Sequence, residues 1–288
     1  MSLLRRSSFR IVIIVLVTLA MVLLFYFAPL PFNGVDWLGY HRTAQALSRG
    51  EPFYGIPFGT NHIYYNPPWL IVSLLPIGLL PFRLGYAVFC VVNLWLILLV
   101  IMRVKLSAGQ IIFLLMSPPV IYVLIYGQLD IFVVGVCMLL PPEWRLFYGL
   151  AKPHAALGLA LGALRTSWKR AIIIALSGFL VSLVLFGNWP LIVLQSPKPF
   201  LAGAHNFWRG FWPGQLLFGA LLVALAWDRR DERFFLAASP FLSPYAGTYS
   251  FVGPALGLAM SLKTWQLVLI LIVWWFVTFY RWFVLGHS

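Results

Sequence analysis

Apolar runs fill most of this chain, and its polar residues gather in a few intervals between them. The first run, about 11–29, follows the basic start MSLLRRSSFR. It is longer than a signal-peptide core and no small-residue cleavage site follows, so it reads as a retained anchor with a cytoplasmic N-terminus. The longest polar interval, 30–66, comes next. Within it Trp37, Tyr40, Ala44 and Leu47 recur at helical spacing opposite Arg42, Gln45 and Arg49. That pattern predicts an amphipathic helix on the membrane surface, N-capped by Asp36 and ended near Gly50 and Pro52.

The stretch PPWLIVSLLPIGLLPF is short for a full span and predicts a juxtamembrane or re-entrant helix. Residues 84–102 then cross inward to Arg103 and Lys105. Residues 108–126 return outward, broken at Pro118 and Pro119, and end in the polar tetrad Gly127, Gln128, Leu129, Asp130. The run 131–140 leads to Glu143 and Arg145. LFYGLAKPHAALGLALGAL predicts a broken hairpin with its polar elbow at Lys152–Pro153, because irregular backbone at membrane depth has to line a cavity or be buried in protein. Arg165, Lys169 and Arg170 mark the cytoplasm again. Segment 171–187 runs outward to a second polar loop, 188–213, and 214–227 runs inward to the knot DRRDER at 228–233. Segment 234–258, polar and proline-broken for a span, runs outward. Segment 265–283 runs inward and leaves the C-terminus cytoplasmic. The expectation is an all-α, polytopic membrane domain over 1–288 with eight to ten helical segments and external loops at 30–66 and 188–213.

Composition agrees with this pattern: 62% of residues are hydrophobic and 9% charged, which excludes a soluble globular domain. The net charge of +13 is spread between apolar segments instead of forming one patch, so it reads as positive-inside bias and lipid contact, not nucleic-acid binding. Cys90 and Cys137 each fall inside an apolar segment and read as small core residues.

Only seven carboxylates exist, so an external acid site is found by elimination. Asp228, Asp231 and Glu232 sit among arginines in the inner knot, and Glu143 stands beside Arg145. Asp36, Glu51 and Asp130 remain, with Glu51 read as solvated loop. Asp36 serves either as a helix cap or as a reactive carboxylate, and Asp130 either as an outer-end cap or as a site residue. Around Asp36 the chain offers His41, Arg42, Arg49, Asn61, His62 and Asn66. Trp37, Tyr40, Tyr64 and Trp69 are suited to stacking on a polar ligand or to anchoring the loop. Arg42 and Arg49 read as site cations or as contacts to lipid phosphate, and Lys152 as a site cation or an elbow lysine reaching the interface. Lys198 and Arg209 are the cations of the second loop, and His154 and His205 read as structural or catalytic. No nucleotide-binding, nucleophile-elbow or zinc-spaced motif appears, and the carboxylates are too few for a divalent-metal cage, so no cofactor is expected.

The order GVDWLGYHRTAQALSRGEPFY, YYNPPWLIVSLLPIGLLPF, SPPVIYVLIYGQLD, AKPHAALGLALG and SPYAGTYS resembles the GT-C superfamily. More narrowly it resembles the bacterial polyprenol-phosphate-mannose-dependent α-mannosyltransferase-like family, formerly a domain of unknown function. The resemblance covers about 10–260. It implies an inverting transferase of the plasma membrane that takes a hexose from a polyprenyl-phosphate carrier to a glycan or glycolipid acceptor outside. It also implies Asp36 as general base and Gln128 and Lys152 lining the donor cavity. With these go Arg42, Asp130, His154 and Arg209 on the donor side, and Trp37, Tyr40, Tyr64, Asn66 and His205 toward sugar or acceptor. The chain departs from the family in being shorter and in carrying an acid, Asp130, where Asn is common. A lipid-linked-sugar flippase and a non-catalytic assembly partner are the two alternative readings.

Overall fold

Prolines and glycines decide where the apolar runs break into helices. The computed structural model of the protein describes residues 2–28, 34–57, 63–203 and 205–284, and side chains from Val12 onward within them. Asn61 and His62 lie outside the described residues. Those described form an all-helical structure without strands. The helices are α1 Ser2–Phe27, α2 Val35–Ser48, α3 Pro68–Gly78, α4 Phe82–Val104, α5 Ala108–Met116, α6 Pro118–Tyr126, α7 Asp130–Leu139 and α8 Arg145–Gly149. They continue with α9 Pro153–Phe186, α10 Trp189–Gln195, α11 Pro199–Ala202, α12 Leu216–Arg229, α13 Glu232–Ala238, α14 Val252–Ser261 and α15 Thr264–Val284.

Among the described residues three helices, α4, α9 and α15, are long and apolar enough to cross a membrane, and the pair α5 and α6, bent by 49° at Ser117, passes the same test together. The break is where the paired prolines predict it, since Pro118 has no N–H to donate to the preceding turn. Helix α9 is interrupted as well: Ser167 has φ −150° and ψ 41°, outside helical values, between Arg165 and Lys169. Its two arms fold back on each other, because Pro153 and His154 at its start line the same cavity as Trp189 just past its end. The expected turn at the basic cluster is therefore present.

The long helices sort the chain into two ends. Arg103 donates to the Leu139 carbonyl, Arg145 pairs with Glu232, and Arg233 pairs with Asp231 at 2.6 Å, all at one end, hereafter the basic end. Gln128, Lys152, Trp189 and Tyr245 meet at the other, the cavity end.

Two sequence expectations are corrected. Segment 234–258 is not one span. Gly253 packs on the Leu236 carbonyl and Gly257 on the Arg233 carbonyl, so α13 and α14 run antiparallel as a hairpin whose tip, 239–251, is two 3₁₀ turns joined by a short loop. A proline-rich polar stretch reads the same whether it interrupts a span or turns the chain around. The extra return leg reverses everything after it. Helix α15 starts at the basic end, where Thr264 abuts Gly109 and Gln110 donates to the Leu262 carbonyl. It finishes beside Tyr122, 6.1 Å from the Trp282 ring, with Arg281 stacked over Phe207 at 3.8 Å. It thus runs toward the cavity end, opposite to the direction expected for the last segment.

Candidate active site

Helix α2 positions the early acid. Its N-cap is Gly34, in a left-handed conformation at φ 64°, and not Asp36, which is the second helical residue and sits in the first turn. A carboxylate there is favoured by the N–H groups of the helix start. Gly34 donates its N–H to Ile125 at 3.2 Å, which ties the start of α2 to the end of α6. From α4, the Tyr86 hydroxyl lies 2.6 Å from the Leu124 carbonyl and 3.1 Å from that of Ile125. Gly127, at φ 70°, ends α6 against Trp37, where a side chain would bring a Cβ within 2.6 Å of the Trp37 Cβ. These contacts hold Gln128, the residue after Gly127, beside the first turns of α2.

A cavity of about 770 Å³ opens at this junction. Asp36 and Tyr40 form one wall, with Tyr64, Tyr65 and Asn66 beside them; Gln128, Lys152 and His154 form the back. Tyr245 and Tyr249 from the α13–α14 tip face them, and Lys198, Phe200 and His205 from the 188–213 stretch cover the mouth. Asn206 knits the last two elements together: its Nδ2 donates to Leu201 and Pro244 carbonyls at 3.0 and 3.1 Å, and its Oδ1 accepts from the Trp208 and Ala246 N–H groups.

The back wall is one hydrogen-bonded unit. Lys152 Nζ donates to Gln128 Oε1 at 2.6 Å and to Asp130 Oδ2 at 2.7 Å, and the Tyr40 hydroxyl donates to the same Gln128 oxygen at 3.3 Å. Asp130 is fully buried and the Lys152 side chain is 4% exposed. A lone buried ammonium costs several kcal/mol, so the carboxylate is what keeps a charged lysine in this wall. Two of the three lysine donors are used, which leaves one for a ligand. Burial first, and the Asp36 charge second, push the Tyr40 phenol well above its ordinary range, so it remains a donor.

The structure brings Asp36, Tyr40, Tyr64, Asn66, Gln128, Lys152, His154 and His205 to one cavity and leaves other candidates out of it. Trp37 is fully buried, stacked on Phe89 at 4.8 Å with its Nε1 donating to Phe82, so it anchors α2 and faces no ligand. Arg42 is exposed on the opposite face of α2, and Arg209 is exposed away from the cavity; helical periodicity placed neither relative to the fold. Asp130 stands behind Lys152 instead of lining the cavity. Arg49 is engaged at the surface with Glu51 at 2.7 Å, and Trp69 stacks on Phe147 at 4.5 Å. Lys198 lines the mouth, but its ammonium donates to the carbonyls of Val193, Leu194 and Ser196 at 2.8–3.1 Å and closes the C-terminus of α10. Tyr245, Tyr249 and Phe200 are cavity residues that sequence reasoning did not single out. The signal for the first two was the unusual polarity of SPYAGTYS within an apolar region. Among the described residues no cluster of three His, Cys, Asp or Glu suited to a metal occurs.

No protein-family model, curated protein or solved structure matches this chain.

Proposed function

We propose that this protein is a membrane glycosyltransferase that moves a hexose, in this reading mannose, from a polyprenyl-phosphate donor to the hydroxyl of a glycan or glycolipid acceptor. One observation carries the reading: a single cavity at one end of the helical bundle has Asp36 on one wall and the Lys152 ammonium on another, among tyrosines. Those are the groups a direct displacement at an anomeric carbon requires. Asp36 takes the proton of the acceptor hydroxyl as its oxygen attacks that carbon. The bond from the carbon to the phosphate oxygen breaks with inversion, and the remaining Lys152 N–H meets the charge left on the polyprenyl phosphate. Gln128 and Tyr40 fix the lysine from the cavity side. The step needs no cofactor.

In this reading the basic end is cytoplasmic by the positive-inside rule, the cavity faces the outer side of the plasma membrane, and α15 ends outside. The test is transfer from a synthetic polyprenyl-phosphate mannose by the purified full chain in lipid nanodiscs. Asp36→Asn is expected to lower kcat by about 10²–10⁴-fold with the donor affinity kept, the range for losing a positioned general base. Undiminished transfer by Asp36→Asn overturns the assignment of the base, and no transfer by the parent chain from any polyprenyl-phosphate sugar overturns the activity.

A further inference from the structure

The Asp130 carboxylate has a second oxygen that the lysine does not use. Asp130 Oδ1 is buried without a hydrogen-bond partner, and so is His154 Nε2. The two atoms lie 3.7 Å apart and face each other. A buried polar atom without a partner costs about 1–3 kcal/mol, and here two such atoms are separated by less than 1 Å more than a hydrogen bond. The carboxylate's charge is already met by Lys152 through Oδ2, so the ring needs no positive charge to satisfy Oδ1. A neutral imidazole with its proton on Nε2 does so. His154 also borders the cavity, with Tyr245 edge-on at 5.4 Å and Tyr249 at 6.4 Å.

We propose that Asp130 and His154 form a dyad in which the carboxylate fixes the imidazole proton on Nε2 and leaves Nδ1 as an acceptor for a hydroxyl of the donor sugar. A neutral ring in this state accepts and does not donate at Nδ1, so it cannot serve a phosphate oxygen there; the phosphate belongs to Lys152, two residues earlier. The pair divides one ligand, lysine toward phosphate and histidine toward sugar. The groups around the ring are Asp130 from α7, Lys152 before it, and Tyr245 and Tyr249 from the α13–α14 tip, with His205 on Tyr245 at 5.8 Å. The identity of the ligand as a sugar rests on the transferase reading, whereas the state of the ring does not.

Nitrogen NMR of the full chain with ¹⁵N-labelled histidine in nanodiscs tests this, with His154→Gln used to assign the resonances. The expected result is a neutral ring protonated on Nε2 at pH 7, and in Asp130→Asn a mixture of both tautomers. Octyl α-mannoside is expected to move the Nδ1 resonance, farnesyl phosphate to leave the ring neutral and compete with the mannoside, and His154→Gln to weaken mannoside binding about two- to tenfold. A proton on Nδ1 in the parent chain overturns the dyad, whether or not Asp130→Asn folds. A ring that becomes doubly protonated with farnesyl phosphate makes His154 a phosphate ligand and overturns the division of roles. Mannoside binding that farnesyl phosphate does not displace overturns the donor-side placement. An intact Nε2 tautomer in a chain without transfer activity sinks the function and leaves the dyad standing.

Discussion

Asp130 and Lys152 test what a buried ion pair does in this fold. Removing one partner leaves the other charge buried and alone, at a cost of about 3–5 kcal/mol, whereas replacing both by apolar residues of similar size is often neutral for stability. Lys152→Met is therefore expected to lower the thermal unfolding temperature in detergent, and Asp130→Leu with Lys152→Met to recover most of the loss while remaining unable to bind farnesyl phosphate. Recovery of stability without recovery of binding separates the lysine's structural part from its ligand part. The sequence made Gln128 and Lys152 legible as candidates because both interrupt apolar runs. It did not reveal that Asp130 faces the lysine, because its position beside Gln128 in GQLD suits an exposed cap equally well. Trp37 and Tyr40, three residues apart on α2, show the same limit. Periodicity puts both on the inner face, and only the fold tells which one meets α4 and which meets the cavity.

At the scale of elements, the site depends on a chain reversal held by one glycine. Gly127 combines a left-handed φ of 70° with close approach to Trp37, so Gly127→Ala meets a conformational penalty and a steric one together. We expect it to destabilise the protein by about 1–3 kcal/mol and to weaken ligand binding, read as a lower midpoint in thermal unfolding together with a raised Kd for farnesyl phosphate. At Gly50, also left-handed at φ 68° but with open space around it, Ala is expected to cost less, about 1–2 kcal/mol, and to leave binding unchanged. The amphipathic α2, the break at Pro118 and the elbow before Pro153 were readable because each has a local cause: periodicity, a missing N–H, a helix-starting proline. The α13–α14 hairpin was not, because nothing local separates an interrupted crossing from a reversal. The carbonyl of Leu236 against Gly253 decides it, and that is a contact between residues far apart in the chain.

For the whole molecule the consequence is one of sidedness. Lys105 ends α4 at the basic end, and Trp282 ends α15 at the cavity end. Single cysteines at 105 and 282 are expected to react with a membrane-impermeant maleimide from opposite faces of sealed vesicles, and cysteines at 49 and 282 from the same face. Cys90 and Cys137 are fully buried, so the background is low. Labelling of 105 and 282 from one face contradicts the reversal at 239–251.

Lys198 ties the cavity's charge to the kind of molecule it is able to hold. All three of its donors go to the carbonyls that end α10, so the ammonium at the mouth is committed to the protein's own backbone. Lys152 is left with a single N–H, and the other cationic candidates, Arg42, Arg49 and Arg209, stand outside. One spare donor against one incoming phosphoryl group is a balanced match. The Lys152 charge is already paired with Asp130, so in the transferase reading a carrier with one phosphate, a singly charged diester, is expected to be held better than a pyrophosphate-linked one with roughly twice the charge.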